Sequence, residues 1–442
     1  MIRTFQLILA LELLGSCLVP DAMADWLQFR GPAGNGHLGQ MQHPLKWSAE
    51  QNLAWSQPLP GAGWSSPIVV GARVFVTAAV DAANTKPLGF TGGVRNMRGK
   101  KPTQPLDFKL TCLSLQDGSV LWSTRLAREQ PQFPIHPSNT YATESPTSDG
   151  KFIYCYFAAI GTVTAVDLEG NIAWSTQVGA FPSGNGFGTG SSLTRKGNRL
   201  FLQCDNDEAS FIVALDTTNG KEAWKRERSS RTSWSTPFVW EHGARTDLVV
   251  CGSGTVSGYE LTTGKTIWKL TNVSSSFTAS PASDAEYLFF GNSGPASQGP
   301  LIAVSSEIEG EVRFTDDELP PGVAWAQKRA GPGMTSPVAS GDYLYVCSRG
   351  ILSCYEAKTG NRVYRSRLPK AKSIAASSWA DENHLFLLDE SGKTFVVKTG
   401  AEFNVVAENQ LDDLFWSTPA ITQSTLLLRG AEKLYCIRAS TP

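Results

Sequence analysis

Ala214-Leu215-Asp216-Thr217-Thr218-Asn219-Gly220-Lys221-Glu222-Ala223-Trp224 reads as the end of an apolar strand, a tight turn and a second strand carrying tryptophan. Asn-Gly suits such a hairpin because glycine accepts the positive φ that the turn demands. The succession returns at Tyr259-Glu260-Leu261-Thr262-Thr263-Gly264-Lys265-Thr266-Ile267-Trp268 and at Gly118-Ser119-Val120-Leu121-Trp122. At Gly360-Asn361-Arg362-Val363-Tyr364 it returns with tyrosine in the tryptophan position. Self-similarity of this kind marks a repeat architecture, in which each unit is one supersecondary element that buries its faces on its neighbours.

Working outward from that hairpin, each unit opens on a short hydroxyl-rich stretch. The openings are Trp64-Ser65-Ser66-Pro67, Glu144-Ser145-Pro146, Gly190-Ser191-Ser192, Trp234-Ser235-Thr236-Pro237, Ala279-Ser280-Pro281, Thr335-Ser336-Pro337, Ala376-Ser377-Ser378 and Trp416-Ser417-Thr418-Pro419. Units of about 40 to 50 residues match a four-stranded blade. The last unit stops at Leu434-Tyr435-Cys436-Ile437-Arg438, before its tryptophan strand. Its missing strand lies at the other end of the chain, where Leu53-Ala54-Trp55-Ser56-Gln57-Pro58-Leu59 follows the pattern of Leu121-Trp122-Ser123-Thr124-Arg125-Leu126. The expected fold is therefore all-β: an eight-bladed β-propeller closed by the N-terminal strand, which removes the exposed edges of an open array. The recurrent tryptophans are expected to wedge between blades as structural glue.

Charge and leader composition narrow the function classes. With 39 basic against 40 acidic residues, the chain has no global basic field for nucleic acid or an anionic membrane. Residues 1–24 read as a signal peptide: a basic start at Arg3, an apolar run from Leu7 to Leu14 interrupted by Glu12, and a small-x-small site at Ala22-Met23-Ala24. Residues 25–442 then form a single propeller domain, exported to a periplasmic or extracytoplasmic space. A rival reading is a lipid anchor at Cys17, from the box Leu14-Gly15-Ser16-Cys17. No later stretch supplies the roughly 18 apolar residues of a membrane span. The cysteines after the leader fall at repeat-equivalent positions in different blades, too far apart to pair. Within one hairpin Cys347 and Cys354 are diagonal, at about 7 Å, beyond an unstrained disulfide. They read as buried free thiols.

The motif ending at Trp224 and its copy ending at Trp268 resemble the tryptophan-docking motif of PQQ-like (pyrroloquinoline-quinone) repeat propellers. The opening Trp26-Leu27-Gln28-Phe29-Arg30-Gly31-Pro32, followed by Gly34 and Gly36, resembles the start of exported PQQ-like propellers abundant in planctomycete-type bacteria. The resemblance runs from Asp25 almost to the C-terminus. It implies a fold shared by quinoprotein alcohol dehydrogenases and by the propeller scaffold of the outer-membrane β-barrel assembly machine. Function does not follow from that fold. The dehydrogenases carry adjacent cysteines over their cofactor, and this chain has no Cys-Cys pair and no Cys-x-x-Cys-His haem site.

The functional candidates gather on one face. With strands named a to d from the channel outward, the d–a and b–c loops share a face. The first blade's b–c connection, about residues 80–107, is a long insertion, and the d–a loops at 127–143 and 179–189 are long as well. Long loops in a compact fold more often carry function than not. Trp64, Trp234 and Trp416 stand at the channel mouth on that face, where they could bind a ligand or partner or simply plug the channel. The loop from Ile135 to Tyr141 brings His136, Asn139 and Tyr141 toward the same mouth. Arg95 and Arg98, with Lys100 and Lys101, place positive charge on the insertion. Asp205 and Asp207, in Asp205-Asn206-Asp207-Glu208, are weak Ca²⁺ candidates and read better as a solvated turn. On the opposite face Glu307, Glu309, Glu311, Asp316, Asp317 and Glu318 read as a solubilising loop.

The reading favoured is a non-catalytic scaffold that binds a protein partner through the loop-rich face, with no cofactor expected. Two alternatives stay open: a PQQ-dependent or PQQ-binding oxidoreductase-like protein, with Ca²⁺, and a carbohydrate or polymer binder using the Trp-lined mouth.

Overall fold

Each repeat closes on itself as an antiparallel sheet. The computed structural model describes residues 25–439 except 41, 91–96, 244, 274–275, 295–297, 316 and 423. The third blade shows the pattern: Thr194–Lys196, Arg199–Cys204, Phe211–Asp216 and Glu222–Glu227 pair in chain order. Eight such sheets follow one another, and the eighth is Ala420–Ile421, Thr425–Arg429 and Lys433–Arg438 with Leu53–Pro58 as its outer strand. Leu53–Pro58 runs antiparallel to Lys433–Arg438, with Ser56 opposite Tyr435. The ring is thus an eight-bladed propeller closed by its N-terminal strand. Strands b and c are almost wholly buried, as sheets covered on both faces must be.

Local sequence explains how one blade grips the next. The pairing of strands c and d shifts by one residue just before the tryptophan, between Ala214 and Leu215 in the third blade and at equivalent points elsewhere. A bulge adds twist, and here it swings the tryptophan toward the following blade. The indole N–H then donates to a backbone carbonyl of that blade: Trp55 to Leu115, Trp122 to Leu168, Trp174 to Thr217, Trp224 to Leu261 and Trp325 to Ala357, at 2.8 to 3.1 Å. The ring lies over the next hairpin's glycine. At Gly264 a Cβ would sit 2.5 Å from the Trp224 ring, and φ is +68°, so glycine is required twice over. The tryptophan therefore does the inter-blade work expected of it.

The hydroxyl-rich openings form an inner ring. The Ser66 amide donates to Ser145 Oγ, Ser145 to Ser192, Ser192 to Thr236, Thr236 to Ser280, Ser280 to Ser336, Ser336 to Ser377 and Ser377 to Thr418, at 2.8 to 3.2 Å. At the closing seam a different device operates. The buried Arg429 guanidinium donates to the carbonyl oxygens of Ser65 and Thr77 and to Ser65 Oγ, and Ser417 Oγ donates to Ser65 O.

Two segments depart from the sequence reading. The acidic insertion of the fifth blade is more than a solubilising loop, because Gly310–Arg313 joins the fourth blade as a fifth, parallel strand beside Thr266–Thr271. Glu311 meets Lys269 at 3.4 Å and Glu309 meets Arg245 at 3.4 Å, so part of the acidic charge is locally paired. Asp316 lies outside the described residues. At this seam Trp268 has no hairpin glycine to dock on. Its N–H donates instead to the buried Asp247 carboxylate at 2.8 Å, which also holds Arg245 at 2.9 Å.

The opening Trp26–Pro32 has an architectural role. Trp26 exchanges backbone hydrogen bonds with Val69, and Leu27 O accepts from Ser148 N. Arg30, 1% exposed, donates to the carbonyls of Pro281, Pro337 and Asn35. Gly36 and Leu38 bond across to Ala380. Residues 26–38 therefore bridge the innermost strands of several blades and close the channel on the a–b side. All seven described cysteines are free, and Cys347 and Cys354 are diagonal in register as expected. Among the described residues no helix is long and apolar enough to cross a membrane. The leader residues 1–24, with Cys17, lie outside the described residues.

Candidate binding face at the channel mouth

The loop-rich face is held together by a continuous run of rings. Trp64 stacks on Trp416 with centroids 6.1 Å apart, and Trp416 meets Phe90 at 6.0 Å. Phe90 meets His136 at 6.1 Å, His136 meets Phe187 at 5.4 Å, and Phe187 meets Trp234 edge-on at 6.2 Å. The three tryptophans picked out in the sequence are joined in this way, Trp64 to Trp416 directly and Trp234 to them through Phe90, His136 and Phe187. The sequence reading missed both phenylalanines. Each lies in a long loop with no periodicity to mark it as inward-facing.

Polar groups pin the rings in place. Trp64 N–H donates to Ser138 O at 2.8 Å, and Trp234 N–H to Gly188 O at 2.7 Å. Glu390, also unforeseen, accepts from the Phe90 amide at 2.9 Å and from the Trp416 indole at 3.2 Å. It sits in Asp389-Glu390-Ser391-Gly392, which reads from sequence as an ordinary polar turn. His136 is 5% exposed, and its Nδ1 accepts from the Ser138 amide at 3.2 Å.

The remaining candidates serve the loops. Asn139 uses its whole amide: Nδ2 donates to Phe187 O and Thr189 O, while Oδ1 accepts from Thr140 N and Thr143 Oγ1. It ties the first long d–a loop to the second. Tyr141 turns its hydroxyl back to Phe133 O at 3.0 Å and packs against the core between the first two blades. Burial pushes its phenol up to about 12. Neither side chain presents itself at the mouth. Arg98 is exposed, and Arg95 lies outside the described residues.

Asp205 corrects the solvated-turn expectation. Its side chain is fully buried and takes Arg228 in a two-pronged ion pair, Nε to Oδ1 at 2.9 Å and Nη2 to Oδ2 at 3.2 Å. Ser230 and Gln203 also donate to it. Asp207 accepts from Thr232 N and Oγ1. Both carboxylates are thus committed to protein partners. Among the described residues no group of three His, Cys, Asp or Glu is arranged to hold a metal ion.

Among the described residues Glu144 is a strongly perturbed acid. It is 2% exposed, precedes the ring residue Ser145, and keeps one oxygen without a hydrogen-bond partner. Burial pushes its carboxyl up to about 7, against the opposing hydrogen bond from Thr189.

The insertion itself is clamped on its inner side. Lys86 donates to the carbonyls of Leu59, Gly61 and Ala431, and the Leu88 amide donates to Pro137 O. Gly99 lies so close to Ile135 that any side chain there would collide with its carbonyl.

The family model described as outer membrane protein assembly factor BamB matches residues 107–316, a little under half of the chain. Over those residues the chain is similar to that family, and its fold is an eight-bladed propeller. Among solved structures, this propeller is similar to BamB from Moraxella catarrhalis, at 11% identity and a TM-score of 0.54, covering 90% of this chain and 99% of that one. It is also similar to quinohemoprotein alcohol dehydrogenase ADHIIG from Pseudomonas putida HK5, at 9% identity and a TM-score of 0.52, covering 95% and 82%. At such identities the likeness speaks for the fold alone. No curated protein matches the sequence of this propeller.

Proposed function

We propose that this propeller is an extracytoplasmic scaffold that binds a protein partner through its loop-rich face. The observation that carries the reading is the clamped insertion. Its two described arms are fastened to blades on either side of the mouth, through Lys86, Leu88, Phe90 and Gly99, which pre-organises those arms. Preorganisation of this kind lowers the ordering cost of association. The family match to an outer membrane protein assembly factor supports a role in assembly over one in chemistry.

The PQQ reading fits the mouth poorly. A planar quinone needs a slot between flat groups, and its Ca²⁺ needs several free oxygen ligands. Here the rings meet one another, and Glu390 already accepts from Phe90 and Trp416. Adding PQQ with Ca²⁺ is expected to give no saturable quenching of tryptophan emission. Saturable quenching would return the protein to the oxidoreductase class. Sugar stacking meets the same obstacle at Trp64, which is 4% exposed.

Photo-crosslinking in cells tests the scaffold reading. A benzophenone side chain at the exposed Ala83 or Thr103 is expected to give discrete protein adducts. The same group at Lys151, on the opposite face, is expected to give none. Equal labelling from both faces, or none from either, would overturn the reading.

A further inference from the structure

The outer surface of the insertion has a chemistry of its own. Residues 82–106 contain five Lys or Arg and no Asp or Glu, in a chain whose net charge is −1. Lys86 is turned inward onto carbonyls, with Glu432 3.7 Å away. Arg98, Lys100 and Lys101 are exposed. Beside them stand Leu88, 48% exposed, and Met97, 50% exposed. The other large exposed apolar side chains among the described residues are Val120, Leu121, Ile172, Val406 and Leu319. The first four lie near the start of outer strands, and Leu319 lies in the opposite-face insertion. Among the described residues Leu88 and Met97 are therefore the large apolar groups displayed on the loop-rich face.

The backbone places these groups together. Leu88 is bonded to Pro137, and Gly99 lies against Ile135, so the two arms of the insertion rise on either side of one short stretch. The Gln130 amide fixes the second arm through Pro102 O at 2.7 Å. Two aliphatic anchors flanked by cations, on an immobilised support, form a surface with both halves of a recognition code: apolar burial for affinity, charge for orientation and rate.

We infer that this patch takes an acidic, apolar segment of the partner protein, with carboxylates facing Arg98, Lys100 and Lys101 and aliphatic side chains covering Leu88 and Met97. The inference rests on the scaffold reading and names the chemistry of its contact. An anionic membrane is the lesser fit. The aromatic ring of this arm, Phe90, is turned inward, and interfacial anchoring favours exposed aromatic groups.

Fluorescence anisotropy of labelled short peptides against the whole protein tests it. The probes are a peptide of glutamates and leucines, one of glutamates and serines, and one of lysines and leucines. Vesicles of phosphatidylcholine with phosphatidylglycerol are run beside them by co-sedimentation. The glutamate–leucine peptide is expected to bind, more weakly as salt rises. Its binding is expected to weaken about tenfold in Lys100→Glu/Lys101→Glu and again in Leu88→Ser/Met97→Ser. Unchanged circular dichroism shows that these surface variants fold. Equal binding of the glutamate–serine peptide, binding of the lysine–leucine peptide, or binding to vesicles alone would overturn the inference. Crosslinks from Ala83 or Thr103 without peptide binding would overturn it and leave the scaffold reading standing. Loss of both would remove the two together.

Discussion

The channel is closed at its two ends by different means. On the a–b side the closure is mostly main chain: Trp26, Leu27, Gly36 and Leu38 bond to inner strands, and Arg30 satisfies three carbonyls with one buried side chain. At the mouth the closure is side chain against side chain, with rings from six separate loops and the Glu390 carboxylate bonding two of them. A backbone strap that bridges several blades contributes cooperativity and presents little outward. A ring cluster can be capped by loops whose outer sides vary freely. The lesson is a division of labour: the plugged end stabilises the ring, and the mouth tolerates energetic cost and can carry the contact surface proposed for it.

The sharpest way to break that comparison is at Arg30. Arg30→Ala removes the guanidinium and leaves the carbonyls of Pro281, Pro337 and Asn35 without their donor in a dry site. A loss of about 3–5 kcal/mol is expected in denaturant unfolding, with crosslinking from Ala83 unchanged once the protein is folded. A loss below about 1 kcal/mol would place the stabilising burden elsewhere.

Glu144 sharpens the other side. A carboxyl held at about 7 in the folded chain, against its ordinary value of 4.5, binds its proton more tightly when folded. Stability therefore falls as pH rises from about 4.5 to 7 and stays low above it. Glu144→Gln is expected to match wild type near pH 5 and to exceed it by up to about 3 kcal/mol at pH 8. A pH-independent difference would show that burial of the charge is not the cost.

Phe90→Ala interrupts the ring run between Trp416 and His136. A loss of about 1–2 kcal/mol is expected, because the ring is half-buried, together with faster proteolysis within the insertion. At the small end, Met97→Ser is expected to change stability by under about 0.5 kcal/mol. A large effect there would mean that the outer side of the insertion is structural.

The same contrast explains what the sequence makes legible. Blade number, the closing strand, the glycine under each docked tryptophan and the long insertion follow from local pattern, because each blade repeats the same residues at the same offsets. Phe90, Phe187 and Glu390 lie in loops, where facing is decided by neighbours from other blades. Asp205 meets Arg228 across a strand pair and a loop, so its four-residue context looked solvated. Gly310-Glu311-Val312-Arg313 has little strand propensity and is held by a parallel neighbour. Tyr141 lay in the right loop with its hydroxyl directed away. The plug residues Trp26–Pro32 carried a resemblance but no periodicity, so their bridging role emerged only with the ring around them.

The closing blade sets an order of events during synthesis. Leu53–Pro58 leaves the ribosome long before its partner Lys433–Arg438 is made. Until then the edge strand lacks its ladder partner and the Arg429 seam is unmade, so the ring can lock only after Lys433–Arg438 is in place. Contacts of such sequence separation are slow to form. A chain stopped before Lys433 would keep most blades and still lack its clasp, which makes completeness of the polypeptide a condition for a finished ring.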